Sequence, residues 1–198
     1  MARPLKFDRN HALEKAMEVF WTQGYKATSV NDLTQAMGLS KSSLYGTFGG
    51  KHAIFIECIK FYCDNITTRV RFAMGLNRPA SQIIRSILGR AVDRILEIEG
   101  RRGCFLNNSA VEVGARDPEA AEHCRGGFKV MEETFENLVR RAQEEGDISK
   151  TFDPKNLAVF LNGTVNGILV IGKANPDRQI LESLVETAMQ ALAQPVSS

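Results

Sequence analysis

Between Lys41 and Thr47 the chain gathers one ammonium, three small hydroxyls and a phenol: Lys41, Ser42, Ser43, Tyr45 and Thr47. The chemistry open to such a group is hydrogen bonding to oxygen and ring-nitrogen acceptors. Lysine suits guanine O6 and N7 or a phosphate oxygen. The serines suit either kind of acceptor, and tyrosine suits a phosphate or the methyl of thymine. Lys51 stands at the start of the next helical segment, where free amides and the helix dipole already favour a phosphate. Thr28, Ser29 and Ser40 stand at two further helix starts and complete the set of candidate contacts.

Those side chains need elements that point them one way, and the stretch from Thr28 to Lys51 supplies them. Ser29 is placed to cap a helix, with Asp32 three residues on as a capping-box partner. Val30, Leu33 and Met37 recur at helical spacing and form one apolar face. Gly38 provides the left-handed residue that ends this helix, and Ser40 caps the next. Leu39 and Leu44 have the spacing of a hydrophobic staple. Leu44 and Phe48 face inward one turn apart, which leaves Lys41, Ser42, Ser43, Tyr45 and Thr47 pointing elsewhere. A helix-turn-helix requires this partition between an anchored face and a reading face. A small helical domain with a solvated face satisfies the same pattern, so charge has to be weighed with it.

Residues 1–78 hold 11 Lys/Arg against 6 Asp/Glu, a balance of +5; residues 79–198 hold 14 against 17, a balance of −3. Cationic excess confined to one end suits phosphate binding by that end. Arg3 and Lys6 precede the first helix and have the makings of a short basic arm. A non-specific, architectural DNA-binding protein would extend its basic surface along the whole chain, and the acidic remainder argues against that alternative.

The run from Asn10 to Lys51, NHALEKAMEVFWTQGYKATSVNDLTQAMGLSKSSLYGTFGGK, resembles the DNA-binding domain of the tetracycline-repressor (TetR) family. The resemblance is carried by the amphipathic first helix ending in Phe20, the Gly24-Tyr25 turn, Thr28-Ser29-Val30, the Gly-Leu-Ser-Lys turn at 38–41, Leu44-Tyr45, Phe48 and Lys51. It implies a sequence-specific transcriptional regulator: a homodimeric bacterial repressor, released from a palindromic double-stranded operator when a small-molecule effector binds its C-terminal domain. Carried over by position, it implies Thr28, Lys41, Ser42, Ser43, Tyr45, Thr47 and Lys51 as DNA contacts. Gly46, where the family usually has a large residue, and Gly49-Gly50, where it has basic or polar ones, depart from the pattern.

The rest of the chain reads as helix. Residues 11–24 bury Ala12, Leu13, Ala16, Met17 and Phe20, and Lys51–Met74 bury Ile54, Phe55, Cys58, Phe61 and Tyr62. A helix from Pro79 to Glu99 has Ile83, Ile84, Ile87, Leu88, Val92, Ile95 and Leu96 as its core face. The remaining segments are Cys104–Val113, Pro118–Glu145, Pro154–Lys173 and Pro176–Ala193, with Asp117, Asp153 and Asn175 as N-caps ahead of prolines. Gly126-Gly127 is a place for a kink. The expected fold is all-α with about nine helices: a three-helix helix-turn-helix domain over residues 1–52 and a larger helical domain for ligand binding and dimerisation over 53–198. No targeting signal precedes the first helix, and a cytoplasmic location is expected.

Asn156 to Gly172 carries no charge. It is short and polar for a bilayer span, so a helix buried among helices is the preferred reading. Phe160, Gly163 and Gly167 there, with Leu181, Leu184, Val185 and Ala188 on the last helix, are equally good as intramolecular core or as a dimer contact. The family resemblance tips the choice to a dimer with a four-helix contact.

Of the cysteines, Cys58 lies on an apolar stripe and reads as inert core. Cys104 follows Arg101-Arg102-Gly103 and opens a helix, a setting that favours thiolate; it is either a small buried residue or an electrophile sensor. His123 and Cys124 are adjacent on a helix and do not face each other, so no metal or other cofactor is expected. A ligand pocket is implied by the resemblance, with Cys104, Phe105, Asn108, Glu112, Phe128, Met131, Phe135 and Phe160 as candidates; aromatics at helical spacing also read as plain core. No phosphate loop, GxSxG or HExxH is present, and no enzyme activity is expected.

Overall fold

A computed structural model of the chain describes residues 8–75, 77–97 and 99–193, so Arg3 and Lys6 of the expected basic arm lie outside the described residues. Among those residues the chain forms nine α-helices and a single 3-10 turn. They are α1 (Arg9–Gln23), α2 (Val30–Met37), α3 (Lys41–Phe48), α4 (Lys51–Met74), α5 (Ala80–Leu96), α6 (Phe105–Val113), α7 (Pro118–Glu145), α8 (Pro154–Ala174) and α9 (Arg178–Leu192), with the 3-10 turn at Glu99–Arg102.

Acidic caps start most of the longer helices. Asp8 accepts from the N–H of Asn10 and His11 at 2.9 and 3.2 Å. Asp117 accepts from Ala120 at 3.0 Å, and Asp153 from Asn156 at 2.9 Å. The cap of α9 is Asp177, which accepts from Ile180 at 3.1 Å; Asn175, expected in that role, closes the C-terminus of α8 instead. Helix α5 ends at Leu96 rather than 99 because Glu97 is extended, with ψ at 139°. Gly126-Gly127 interrupts nothing: α7 runs unbroken through both.

The chain packs as two compact units. Among the described residues, the first joins those up to 65 to 105–125 and the second joins 66–104 to those from 126 on, so α4 and α7 contribute to both. In the first unit, α1, α2, α3 and the start of α4 bury the stripes expected of them, including Ala16, Phe20, Leu33, Leu44, Phe48, Phe55 and Cys58. Helix α6 joins them through aromatic contacts. Phe105 lies 5.8 Å from both Trp21 and Tyr62 and 6.0 Å from Phe55, between ring centroids.

In the second unit α5 packs on α8 and α9, which also pack on each other. Its core includes Ile84, Leu88, Ile95, Phe135, Leu161, Ile168 and Leu181. Three residues expected at a dimer contact, Leu181, Val185 and Ala188, are buried in this core, because α9 turns that face toward its own chain; Leu184 is half-buried. By length and composition α8 is apolar enough to cross a membrane. Its inner face is nevertheless engaged within the unit, and the buried Asn162 there donates to Glu132 Oε1 at 3.3 Å.

Close approach in this unit depends on Gly172. A Cβ there would stand 2.7 Å from Ile95 Cγ2 and 3.0 Å from Leu181 Cδ1. Gly172→Ala therefore overpacks the α5–α8–α9 core and should destabilise the protein by about 1–3 kcal/mol. A lowered thermal midpoint checks this; an unchanged or raised one refutes it.

Candidate nucleic-acid interface

The reading face is built from local caps. The Ser29 hydroxyl accepts from the Asp32 N–H at 3.2 Å, and Asp32 accepts from the Ser29 N–H at 2.7 Å, which closes a full capping box on α2. The Asp32 carboxyl is held below its usual range, first by that backbone N–H. Gly38 sits in the left-handed region at φ 66° and ends α2. Ser40 then caps α3, accepting from the Ser43 N–H at 3.1 Å.

With Leu44 and Phe48 buried, α3 presents Lys41, Ser42, Ser43 and Tyr45 outward, and Thr47 is half-buried beside them. Tyr45 is 53% exposed. The Ser40 hydroxyl lies 3.0 Å from that of Ser42 and 2.9 Å from that of Ser43, so three hydroxyls form one cluster at the start of the helix. Two glycines link α3 to α4. Gly49 and Gly50 have φ of 86° and 133°, which other residues rarely adopt. A Cβ on Gly50 would lie 3.4 Å from Tyr45 Cε1, so the tyrosine ring rests against bare backbone. Gly46 differs, since a Cβ there would meet nothing within 4 Å.

Lys51 opens α4 with its Nζ 4.5 Å above the Tyr25 ring, a cation–π contact that aims the ammonium. Burial, and secondarily the charge of Asp117, pushes the Tyr25 phenol up. Thr28 is corrected: it is 1% exposed, and its hydroxyl donates to the Gly24 carbonyl at 2.7 Å. Its side chain closes the turn after α1 and is not free for a phosphate.

Several residues that hold this face were missed by sequence reasoning. Arg9 pairs with both Glu57 oxygens at 2.8 and 2.6 Å and lies 4.9 Å from the Phe48 ring centroid, tying α1 to α4 and α3. His52 on α4 meets Asp117 ahead of α7 at 2.9 Å. Glu112 on α6 accepts from the backbone of Tyr25 and Lys26. None of these pairings leaves a local signal in the sequence, since the residues they join are 48, 65 and 87 positions apart.

The residues expected to line a ligand pocket are divided between the units. In the first, Phe105 belongs to the aromatic core, Asn108 is half-buried, and Glu112 is engaged with backbone rather than open to a ligand. In the second, Phe135 is fully buried, Phe128 and Met131 are half-buried, and Phe160 is 45% exposed on the outer side of α8. Cys104 is buried, 8% exposed, one residue ahead of α6. Burial pushes the Cys58 thiol well up, in keeping with an inert core residue. An open cleft in the second unit, lined by Pro79, Gln82, Arg85, Ile148 and Met189 among others, includes none of the expected pocket residues.

Comparison with known proteins gives this geometry a family. Residues 12–58 match the model described as bacterial regulatory proteins, tetR family, and residues 80–189 match the tetracyclin repressor-like C-terminal domain. The uncharacterized HTH-type transcriptional regulator YezE of Bacillus subtilis (strain 168) is 30% identical over 193 residues, spanning 97% of this chain and 100% of YezE. The HTH-type transcriptional repressor ComR of Escherichia coli (strain K12) is 25% identical, over 95% of this chain and 90% of ComR. The regulator CifR, solved as a cysteine mutant with 26-base-pair double-strand operator DNA, is 30% identical over 96% of this chain and 99% of its own, with a TM-score of 0.83. A C-terminal match over more than half of the chain, joined to a helix-turn-helix with an outward α3, settles its membership: the chain belongs to the TetR family of bacterial transcriptional regulators, and is a DNA-binding regulator rather than an enzyme.

Proposed function

We propose that the protein is a cytoplasmic, homodimeric repressor that reads a palindromic operator with α3 and leaves it on a small-molecule or electrophile signal. The observation that carries the operator reading is the outward face of α3: Lys41, Ser42, Ser43 and Tyr45 are exposed on it, above the buried Leu44 and Phe48. The operator complex of CifR and the repressor ComR support the same reading. Residues 1–52 carry the DNA contacts, and 53–198 carry ligand binding and dimerisation. Ser29 and Ser40 serve mainly as caps, with Lys51 as a phosphate contact.

The dimer reading rests on the outer side of α8. Among the described residues, Val159, Phe160, Val170, Ile171 and Ile180 are five of the nine large hydrophobic side chains left exposed, and all lie on α8 or α9. Gly163 and Gly167 fall between them with open space at Cβ, so another helix can come close. A second copy covers this stripe with itself about a two-fold axis and brings two α3 helices to successive major grooves.

Titration against selected and random duplexes at two salt concentrations tests sequence reading; equal affinities at each salt reject it. Lys51→Ala should weaken binding to all sequences and reduce the salt slope by roughly one, whereas an unchanged slope removes Lys51 from the contacts. Sedimentation should give twice the 21.9 kDa chain mass for the wild type and a shift to monomer, with weaker operator binding, for Phe160→Glu. A monomeric wild type at micromolar concentration rejects the dimer. An electrophile should release wild type from the operator faster than Cys104→Ser, and identical release ends the role of Cys104.

A further inference from the structure

The turn after α1 leaves two adjacent amides, those of Tyr25 and Lys26, without a helical partner. Glu112, 87 residues away from Tyr25 on α6, takes both. Its Oε2 accepts from the Tyr25 N–H and its Oε1 from the Lys26 N–H, each at 2.8 Å. Successive amides converging on one anion form a nest, and here the anion is the protein's own carboxylate. The fit is tight: Gly24 has φ 84°, and a Cβ on it would stand 2.9 Å from Glu112 Oε2. From the other side Thr28 closes the turn, its hydroxyl and N–H both donating to the Gly24 carbonyl, at 2.7 and 3.3 Å.

What the turn carries matters for DNA binding. Tyr25 packs on Phe55 with ring centroids 4.5 Å apart and lies under the Lys51 ammonium, also at 4.5 Å. Thr28 leads directly into Ser29, the cap of α2. One carboxylate thus sets the aromatic platform of a phosphate-contacting lysine and the entry to the helix-turn-helix.

We infer that Glu112 is a positioning residue for operator binding. It touches no DNA; it holds the Tyr25–Lys26 turn, and through that turn fixes Lys51 and the start of α2. This rests on the operator-binding function proposed above.

Full-length wild type, Glu112→Ala and Glu112→Gln are titrated by fluorescence anisotropy against a selected operator duplex and a scrambled duplex of equal length, with the melting temperature recorded for each. Loss of two charge-assisted bonds in Glu112→Ala should weaken operator binding about tenfold, and scrambled-duplex binding by much less, because only the Lys51 phosphate contact is common to both duplexes. Glu112→Gln, whose carboxamide oxygen still accepts one amide, should recover part of the loss. Amide exchange at Tyr25 and Lys26 should quicken in the same order. Wild-type operator affinity in Glu112→Ala, or equal losses on both duplexes, overturns the inference. A wild type that binds both duplexes alike overturns operator reading itself, so the two failures are distinct.

Discussion

A chain made of helices is also a chain of helix ends, and every N-terminal end leaves backbone N–H groups that need an acceptor. The rest of this structure follows from where those acceptors come from. Some are three residues away: Ser29 for Asp32, Ser40 for Ser43, Asp153 for Asn156, Asp177 for Ile180. Others come from distant chain. Glu145 at the end of α7 accepts from the Ala80 N–H at the start of α5, and Glu112 accepts from the turn after α1. Asp117 serves both purposes, capping α7 while holding His52 of α4. Near acceptors cap the helices, and distant ones tie together helices that the apolar core already brings into one unit. The Asp32 and Glu145 carboxyls are both held below their usual range, first by the amides they accept. Their contribution is therefore in place above the unfolded-state carboxylate range and fades only as pH falls through the lowered values.

This division also explains what the sequence could and could not disclose. The capping box of α2, the Gly38 turn, the Ser40 cap and the inner stripes of α1, α3 and α5 were all legible, because each is set by residues within a few positions of one another. Glu112 was not. On α6 it has the look of any helical carboxylate, and its role depends on Gly24 lacking a Cβ far earlier in the chain. Thr28, expected as a DNA contact, and Glu112, expected in a ligand pocket, both satisfy the same turn, from opposite sides. Leu181, Val185 and Ala188, expected at a dimer contact, face the core for a different reason. Leu181, Leu184, Val185 and Ala188 form one stripe with Ile180 at its edge, and periodicity alone does not say whether such a stripe faces its own chain or a second copy. Burial does, sending Leu181, Val185 and Ala188 inward and leaving Ile180 exposed.

The bareness of the reading face has two separate causes. Gly49 and Gly50 answer to the backbone, which takes positive φ between α3 and α4, and Gly50 also gives Tyr45 a surface to rest on. Gly46 answers to neither. It lies inside α3, where glycine costs about 1 kcal/mol relative to alanine, and the chain's own packing leaves open space at its missing Cβ. Nothing inside the molecule accounts for that residue. Its consequence falls outside, on the surface proposed to meet DNA: between Tyr45 and Thr47 the helix offers backbone, so Tyr45 and the Ser40–Ser42–Ser43 hydroxyl cluster at its start would limit the depth of approach. Those hydroxyls bond to one another within the chain and can rotate to new acceptors, whereas Tyr45 is held in place by the Gly50 backbone behind it. In the operator reading proposed above, the tyrosine sets the stand-off from the groove and the rotatable hydroxyls adapt to the acceptors presented there.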